Sequence, residues 1–225
     1  MDNPESQVQI PSETTVLAGS LHALPAARGI VVFAHGSGSS RFSVRNQAVA
    51  GHLQTAGFST LLFDLLTAEE DRVYERRFDL ELLTRRLVDA TQWAARQPGL
   101  AGAPIGLFGA STGAAAALQA AVTLGPLVHA IVSRGGRPDL AGAALARVHA
   151  PTLLIVGGAD TEVLAPNVEA KAKLPRDTVA KVEVIAGATH LFEEPGAMQR
   201  VAALATAWFR TYLRRDAIPG AHAGS

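Results

Sequence analysis

Residues 105–117 constrain this chain more than any other stretch. An apolar run, Ile105-Gly106-Leu107-Phe108, leads into Gly109-Ala110-Ser111-Thr112-Gly113 and then into four alanines, Ala114 to Ala117. The order reads as strand, sharp turn, helix. A Gly-x-Ser-x-Gly turn between a strand and a helix holds its serine in a strained conformation, with the hydroxyl facing a cleft. Gly109 and Gly113 lack a Cβ, which lets the helix pass close to the neighbouring strands. The backbone N–H of Thr112 then lies at the positive end of the helix dipole, where a developing negative charge is stabilised. The plainer reading makes Ser111 a helix N-cap and needs no chemistry.

The rest of the chain alternates strand and helix. Segments 8–10 and 14–21 suggest an antiparallel pair of edge strands, with Pro11 and Ser12 between them. Buried strands are expected at 30–34, 59–64, 105–108, 130–133, 152–156 and 181–185, and helices at 44–56, 79–96, 166–174 and 195–213. The last helix carries Val201, Leu204, Ala205, Trp208, Phe209 and Tyr212 at helical spacing and should pack on the sheet. The charged connection 65–77 reads as a solvated face or as one wall of a cleft. Such alternation implies a mostly parallel sheet with helices on both faces, whose ligands bind at the C-terminal strand ends. One domain is expected over 1–213, with a frayed tail over 214–225.

Composition narrows the partners. Lys plus Arg and Asp plus Glu number 20 each, so no charge excess points to nucleic acid or an anionic membrane. There is no cysteine, hence no disulfide framework and no thiolate metal site. The polar, acidic start does not resemble a signal peptide, and no apolar run is long enough to span a membrane. A cytoplasmic protein acting on a small molecule, with no cofactor and no metal, is the expectation.

His35, Ser111, Arg134, Asp160 and His190 each follow an expected strand. Ser111, Asp160 and His190 also come in the order nucleophile, acid, base. A serine hydroxyl is a poor nucleophile at neutral pH and needs an imidazole to take its proton; the imidazole in turn needs a carboxylate to fix its tautomer. Alternatives remain for each residue. Asp160 can be a turn residue, with Glu162 the acid, and His190 can be a cap beside Glu193 and Glu194. His35 suits a loop-holding role better than that of a base, and it is kept with Arg134 as a candidate substrate contact. Arg134 either pairs with a local acid such as Asp139 or Glu162 or grips an anionic group of a substrate. Ser37 offers a second N–H to an oxyanion beside that of Thr112.

His35-Gly36-Ser37-Gly38, Gly109-Ala110-Ser111-Thr112-Gly113, Gly157-Gly158-Ala159-Asp160 and Ala188-Thr189-His190-Leu191-Phe192 together resemble the dienelactone hydrolase family. The resemblance runs over about 14–213. It implies an α/β-hydrolase fold without a large cap domain, a Ser111-Asp160-His190 triad, and an oxyanion hole from Thr112 and Ser37. Members named for the lactone carry a cysteine nucleophile and a glutamate in the loop after the first buried strand. This chain has Ser111 and a Gly-Ser-Gly-Ser loop instead. A serine esterase acting through an acyl-enzyme is therefore the leading expectation, with phosphotriester cleavage as a side activity. A thioesterase or acyltransferase using the same residues, or a ligand-binding protein without turnover, are the rivals.

Overall fold

The computed structural model describes residues 5–214. The chain opens with an antiparallel hairpin, β1 (Glu5–Ser12) and β2 (Thr15–His22), turning at Glu13 and Thr14. Strand β1 runs through Pro11, where the sequence suggested a break. Proline is tolerated because β1 is the outermost strand and its free edge needs no donor. Then follow β3 (Ile30–Ala34), α1 (Val44–Thr55), β4 (Ser59–Phe63), α2 (Ala68–Asp71), α3 (Leu80–Ala95), β5 (Ile105–Ala110) and α4 (Thr112–Leu124). The second half holds β6 (Val128–Arg134), β7 (Thr152–Gly157), α5 (Thr161–Lys173), β8 (Ala180–Ile185) and α6 (Ala197–Tyr212). Short 3-10 turns occupy Tyr74–Phe78 and Pro138–Arg147.

The eight strands form one sheet in the order β1-β2-β4-β3-β5-β6-β7-β8. Strand β2 is antiparallel to both its neighbours, and β4 through β8 with β3 are parallel. Side-chain alternation divides the core in two. Val31, Phe33, Phe108 and Val132 meet α1 and α6 through Val49, Leu53, Val201 and Phe209. Ile30, Val32, Ile105, Leu107 and Ile131 meet α3 and α4 through Leu83, Leu87, Ala116 and Leu118. This is the α/β-hydrolase architecture.

Helix α5 starts at Thr161, five residues before the Pro166 at which the sequence placed it, and Pro166 lies inside it. The Asp160 carbonyl starts the helix by accepting from the N–H groups of Val163 and Leu164. Fully buried Asn167 then ties the helix to the loop after β6, donating from Nδ2 to the Gly136 and Val163 carbonyls at 2.9 and 2.8 Å. A proline one turn into a helix so anchored removes a single backbone bond. The connection after β4 is largely solvated, as its charges suggested, and is stitched down by a capping box between Thr67 and Glu70 and by a buried Arg86–Glu70 pair at 2.9 Å. Of the tail expected over 214–225, residues 215–225 lie outside the described residues. Among the described residues no helix is long and apolar enough to cross a membrane.

The register puts the C-terminal ends of the central strands level: Ala34 faces Gly109, Ala110 faces Arg134, and Arg134 faces Ile155. The close approach of α4 to this edge depends on two glycines. A Cβ at Gly113 would stand 2.3 Å from the Ala34 carbonyl oxygen, and one at Gly109 would stand 2.5 Å from the Ala114 Cα. Both neighbours are backbone and cannot step aside. Gly113→Ala is thus expected to lower stability by at least about 3 kcal/mol, as severe overpacking does. Gly51→Ala, in α1 with open space around its Cβ, should be neutral or stabilising by about 0.5–1 kcal/mol. Chemical denaturation of the two variants checks this; equal midpoints would refute the packing argument.

Candidate active site

Ser111 occupies the turn between β5 and α4 with φ 50° and ψ −122°, a left-handed conformation that costs a non-glycine residue about 1–3 kcal/mol. The surroundings hold it there. Its N–H donates to the Arg134 carbonyl at 3.3 Å, and its carbonyl accepts from the N–H groups of Ala114 and Arg137, each at 3.1 Å. Arg137 is itself fixed by a bidentate pair with Asp139 at 2.9 and 2.8 Å, and that guanidinium keeps the Asp139 carboxyl below its ordinary range. The sequence had offered Asp139 to Arg134, but its carboxylate is taken by Arg137. The serine hydroxyl makes no hydrogen bond among the described residues and opens into a cavity of about 240 Å³ lined also by Gly36, Ser37, Arg45, Arg134 and His190.

Asp160 follows β7 and His190 follows β8, and His190 lines the same cavity. The His190 Nδ1 lies 2.7 Å from the Asp160 Oδ2, with the carboxylate 8% and the imidazole 39% exposed. Although Asp160 stands at the N-cap of α5, its side chain caps no helix N–H; the carboxylate is turned to the imidazole instead. Glu162, the alternative acid, makes no such contact. The turn that carries His190 is held by Glu194, whose Oε1 accepts the Thr189 N–H at 3.0 Å. It lies close over Gly135, where a Cβ would come within 3.1 Å of the His190 carbonyl.

In the loop after β3, His35 takes the loop-holding role that the sequence favoured for it, and the Ser37 N–H has a partner that the sequence did not suggest. His35 is buried but lines neighbouring cavities rather than the one at Ser111. Its Nδ1 donates to the Gly36 carbonyl at 2.9 Å, and its Nε2 accepts the Leu65 N–H at 3.0 Å. Both ring nitrogens are spent on backbone, so His35 is a brace between two loops and not a substrate contact. Ser37 does line the cavity, but its N–H donates to the Thr112 Oγ1 at 3.0 Å. The Thr112 hydroxyl thereby pins the loop onto the first turn of α4. The N–H of Thr112 has no backbone partner among the described residues.

Arg134 is the least satisfied group of the site. It is 7% exposed, its Nη2 reaches the Asn46 Oδ1 at 3.2 Å, and its Nε is buried without an acceptor. Burial first, then the nearby Arg45 charge, lowers its pKa to about 10. It stays protonated at neutral pH, at a cost on the order of 3 kcal/mol when the weakened proton affinity is expressed as free energy. Arg45 and Asn46 were missed in the sequence; the signal available was their place in the first turn of α1, which starts from the loop after β3. Among the described residues no cluster of three His, Asp or Glu side chains could hold a metal ion.

A strained serine at a strand-to-helix turn, next to an Asp–His pair on successive strand ends, defines the chain as an α/β hydrolase. A model of the dienelactone hydrolase family matches residues 14–213, and the chain belongs to that family. It is 51% identical to a dienelactone hydrolase from Anabaena variabilis of known structure, covering 95% of this chain and 100% of that one with a TM-score of 0.90. It is also 56% identical, over 93% of its length, to a Mycobacterium tuberculosis protein provisionally named a phosphoribosyl transferase. The chain spans 47% of that relative. A dienelactone hydrolase-like promiscuous phosphotriesterase from metagenomic libraries shares the fold at 21% identity, covering 92% of this chain and 98% of that one with a TM-score of 0.74.

The buried ring of His35 has a consequence for stability. Burial lowers its pKa below the ordinary 6.5, so below that pH the unfolded chain binds a proton that the folded chain refuses. The contribution of the neutral ring is complete above about pH 6.5 and is lost as pH falls toward the folded value. His35→Gln should therefore lower stability at about pH 8 by roughly 1–3 kcal/mol, for the backbone groups left unpaired. It should also flatten the fall in melting temperature between about pH 6.5 and 5. Melting curves over that range check the assignment; an unchanged acid slope would count against it.

Proposed function

We propose that the chain is a serine hydrolase of small carboxylic esters. The observation that carries this reading is that His190, paired with Asp160 at 2.7 Å, lines the same cavity onto which strained Ser111 opens. In this mechanism the Ser111 Oγ attacks the ester carbonyl while the His190 Nε2 takes its proton, and Asp160 holds the ring tautomer and stabilises the imidazolium. The tetrahedral oxyanion is met by the Thr112 N–H and by that of Ser37, which the Thr112 hydroxyl holds in place until a substrate oxygen competes for it. His190 returns the proton to the leaving alcohol. Water then attacks the acyl-enzyme with His190 again as base, releasing the acid and free Ser111.

A thiol leaving group or a second acceptor in place of water would use the same atoms, so thioesterase and acyltransferase activities follow the same reading. The phosphotriesterase activity named for the metagenomic relative corresponds here to attack of Ser111 on a phosphoryl centre as a side reaction. Phosphoribosyl transfer stands in the name of the Mycobacterium relative, of which this chain spans 47%, and is no part of this reading. A ligand-binding protein without turnover remains the rival that the experiment excludes or supports.

With 4-nitrophenyl acetate and butyrate as substrates, Ser111→Ala should lose at least about a thousandfold in kcat. Asp160→Asn should fall by about a thousandfold or more, and Glu162→Gln should stay within a few fold of the parent. Near-parent rates in Ser111→Ala would reject the nucleophile, and a larger loss in Glu162→Gln than in Asp160→Asn would move the acid. No turnover and no active-site labelling of the parent would favour the binding protein.

A further inference from the structure

We propose that the Ser111 cavity contains an anion subsite, built from Arg134 and Arg45, that takes a phosphoryl group carried by the substrate in preference to a carboxylate. The proposal rests on the serine-hydrolase reading, and it names the class of ester: one bearing a phosphate monoester or phosphonate near the scissile carbonyl.

The Ser111 cavity carries a positive charge that lacks an acidic partner. Arg134 is buried, has no carboxylate within bonding distance, and keeps one buried N–H unsatisfied. Its one polar side-chain contact, Asn46, is neutral and itself buried. Asp139, the nearest acid along the chain, is occupied by Arg137. A purely structural arginine at this depth is normally paired, because an unpaired buried charge is costly. Arg134 also lines the cavity.

A second guanidinium lines the same cavity. Arg45 is close enough to depress the proton affinity of Arg134. It is held by a single 3.2 Å contact to Glu193, a carboxylate 66% exposed, which is a weak and exchangeable pair. No carboxylate lines the cavity among the described residues, whereas the hydroxyl-bearing residues Ser37, Ser39 and Ser43 do. Ser43 is the N-cap of α1 and Ser111 that of α4, so two helix N-termini also bear on this space, and neither first turn contains an acid. A carboxylate would neutralise one guanidinium. A doubly charged tetrahedral group can engage both, with hydroxyls supplying further donors. The phosphoryl group only anchors; the bond broken is still the ester at Ser111.

The test uses three 4-nitrophenyl esters at about pH 8, where a phosphoryl group carries close to two charges: acetate, hydrogen succinate and 3-phosphonopropanoate. The parent should favour the phosphonate over the succinate at least about tenfold in kcat/KM. Arg134→Met should erase that preference by raising KM for the phosphonate about tenfold or more relative to its effect on acetate. Arg45→Met should act in the same direction to a smaller extent, and it carries the test should Arg134→Met fail to fold, with Arg134→Lys beside it. Calorimetric titration of methylphosphonate into Ser111→Ala reads the subsite without turnover. Binding there, weakened about tenfold by adding Arg45→Met, supports the subsite even if no ester is hydrolysed. A succinate rate equal to or above the phosphonate rate, equal losses on all three esters, or no methylphosphonate binding in a variant whose parent hydrolyses acetate would overturn it.

Discussion

The backbone of Ser111 is the constraint on which the rest of the site depends. A left-handed serine between a buried strand and a buried helix is unfavourable locally, and it persists because its neighbours leave no alternative. Gly113 lets α4 lie against the Ala34 and His35 carbonyls, and the Arg134 carbonyl and Arg137 amide hold the turn from the other side. The same packing aligns the helix dipole of α4 with the hydroxyl. Strain, close approach and electrostatics are thus one arrangement: relaxing the turn would move the Ser111 hydroxyl, the Thr112 N–H and the wall carrying Arg134 together.

Around that turn the site spends stability on charge. Arg134 is kept ionised in a buried place without a counter-ion, while His35 is kept neutral in a place equally buried. The two differ in what surrounds them. Two backbone groups satisfy the imidazole completely, whereas the guanidinium retains an unused donor beside the cavity. A satisfied group reads as structure and an unsatisfied one as readiness for a ligand.

Much of this was legible in the sequence, for identifiable reasons. Uninterrupted apolar runs gave the parallel strands, and polar residues at the ends of those runs gave Ser111, Asp160 and His190, because in such a sheet the strand ends meet on one edge. Order favoured Asp160 over Glu162 as the partner of His190, and the structure pairs Asp160 with His190. The parts that were not legible depend on which of two chemically equal partners is nearer in space. Asp139 could serve Arg134 or Arg137, and folding gives it to Arg137. The Ser37 N–H could wait for a substrate or bind Thr112, and it binds Thr112. The start of α5 escaped because Pro166 reads as a helix start in the sequence while the Asp160 carbonyl begins the helix a turn earlier. Arg45 escaped because its place in the first turn of α1 does not by itself tell that this turn borders the Ser111 cavity, which is a tertiary fact.

The central claim is that Ser111 is an activated nucleophile. The most direct measurement is peptide mass spectrometry of the protein after brief exposure to a fluorophosphonate, compared with the same treatment of His190→Ala. A phosphonyl adduct confined to the peptide carrying Ser111, and strongly diminished in His190→Ala, is the result the account predicts. An unmodified Ser111 in protein that still turns over esters, or an adduct on Ser37, Ser39 or Ser43 in its place, would contradict it.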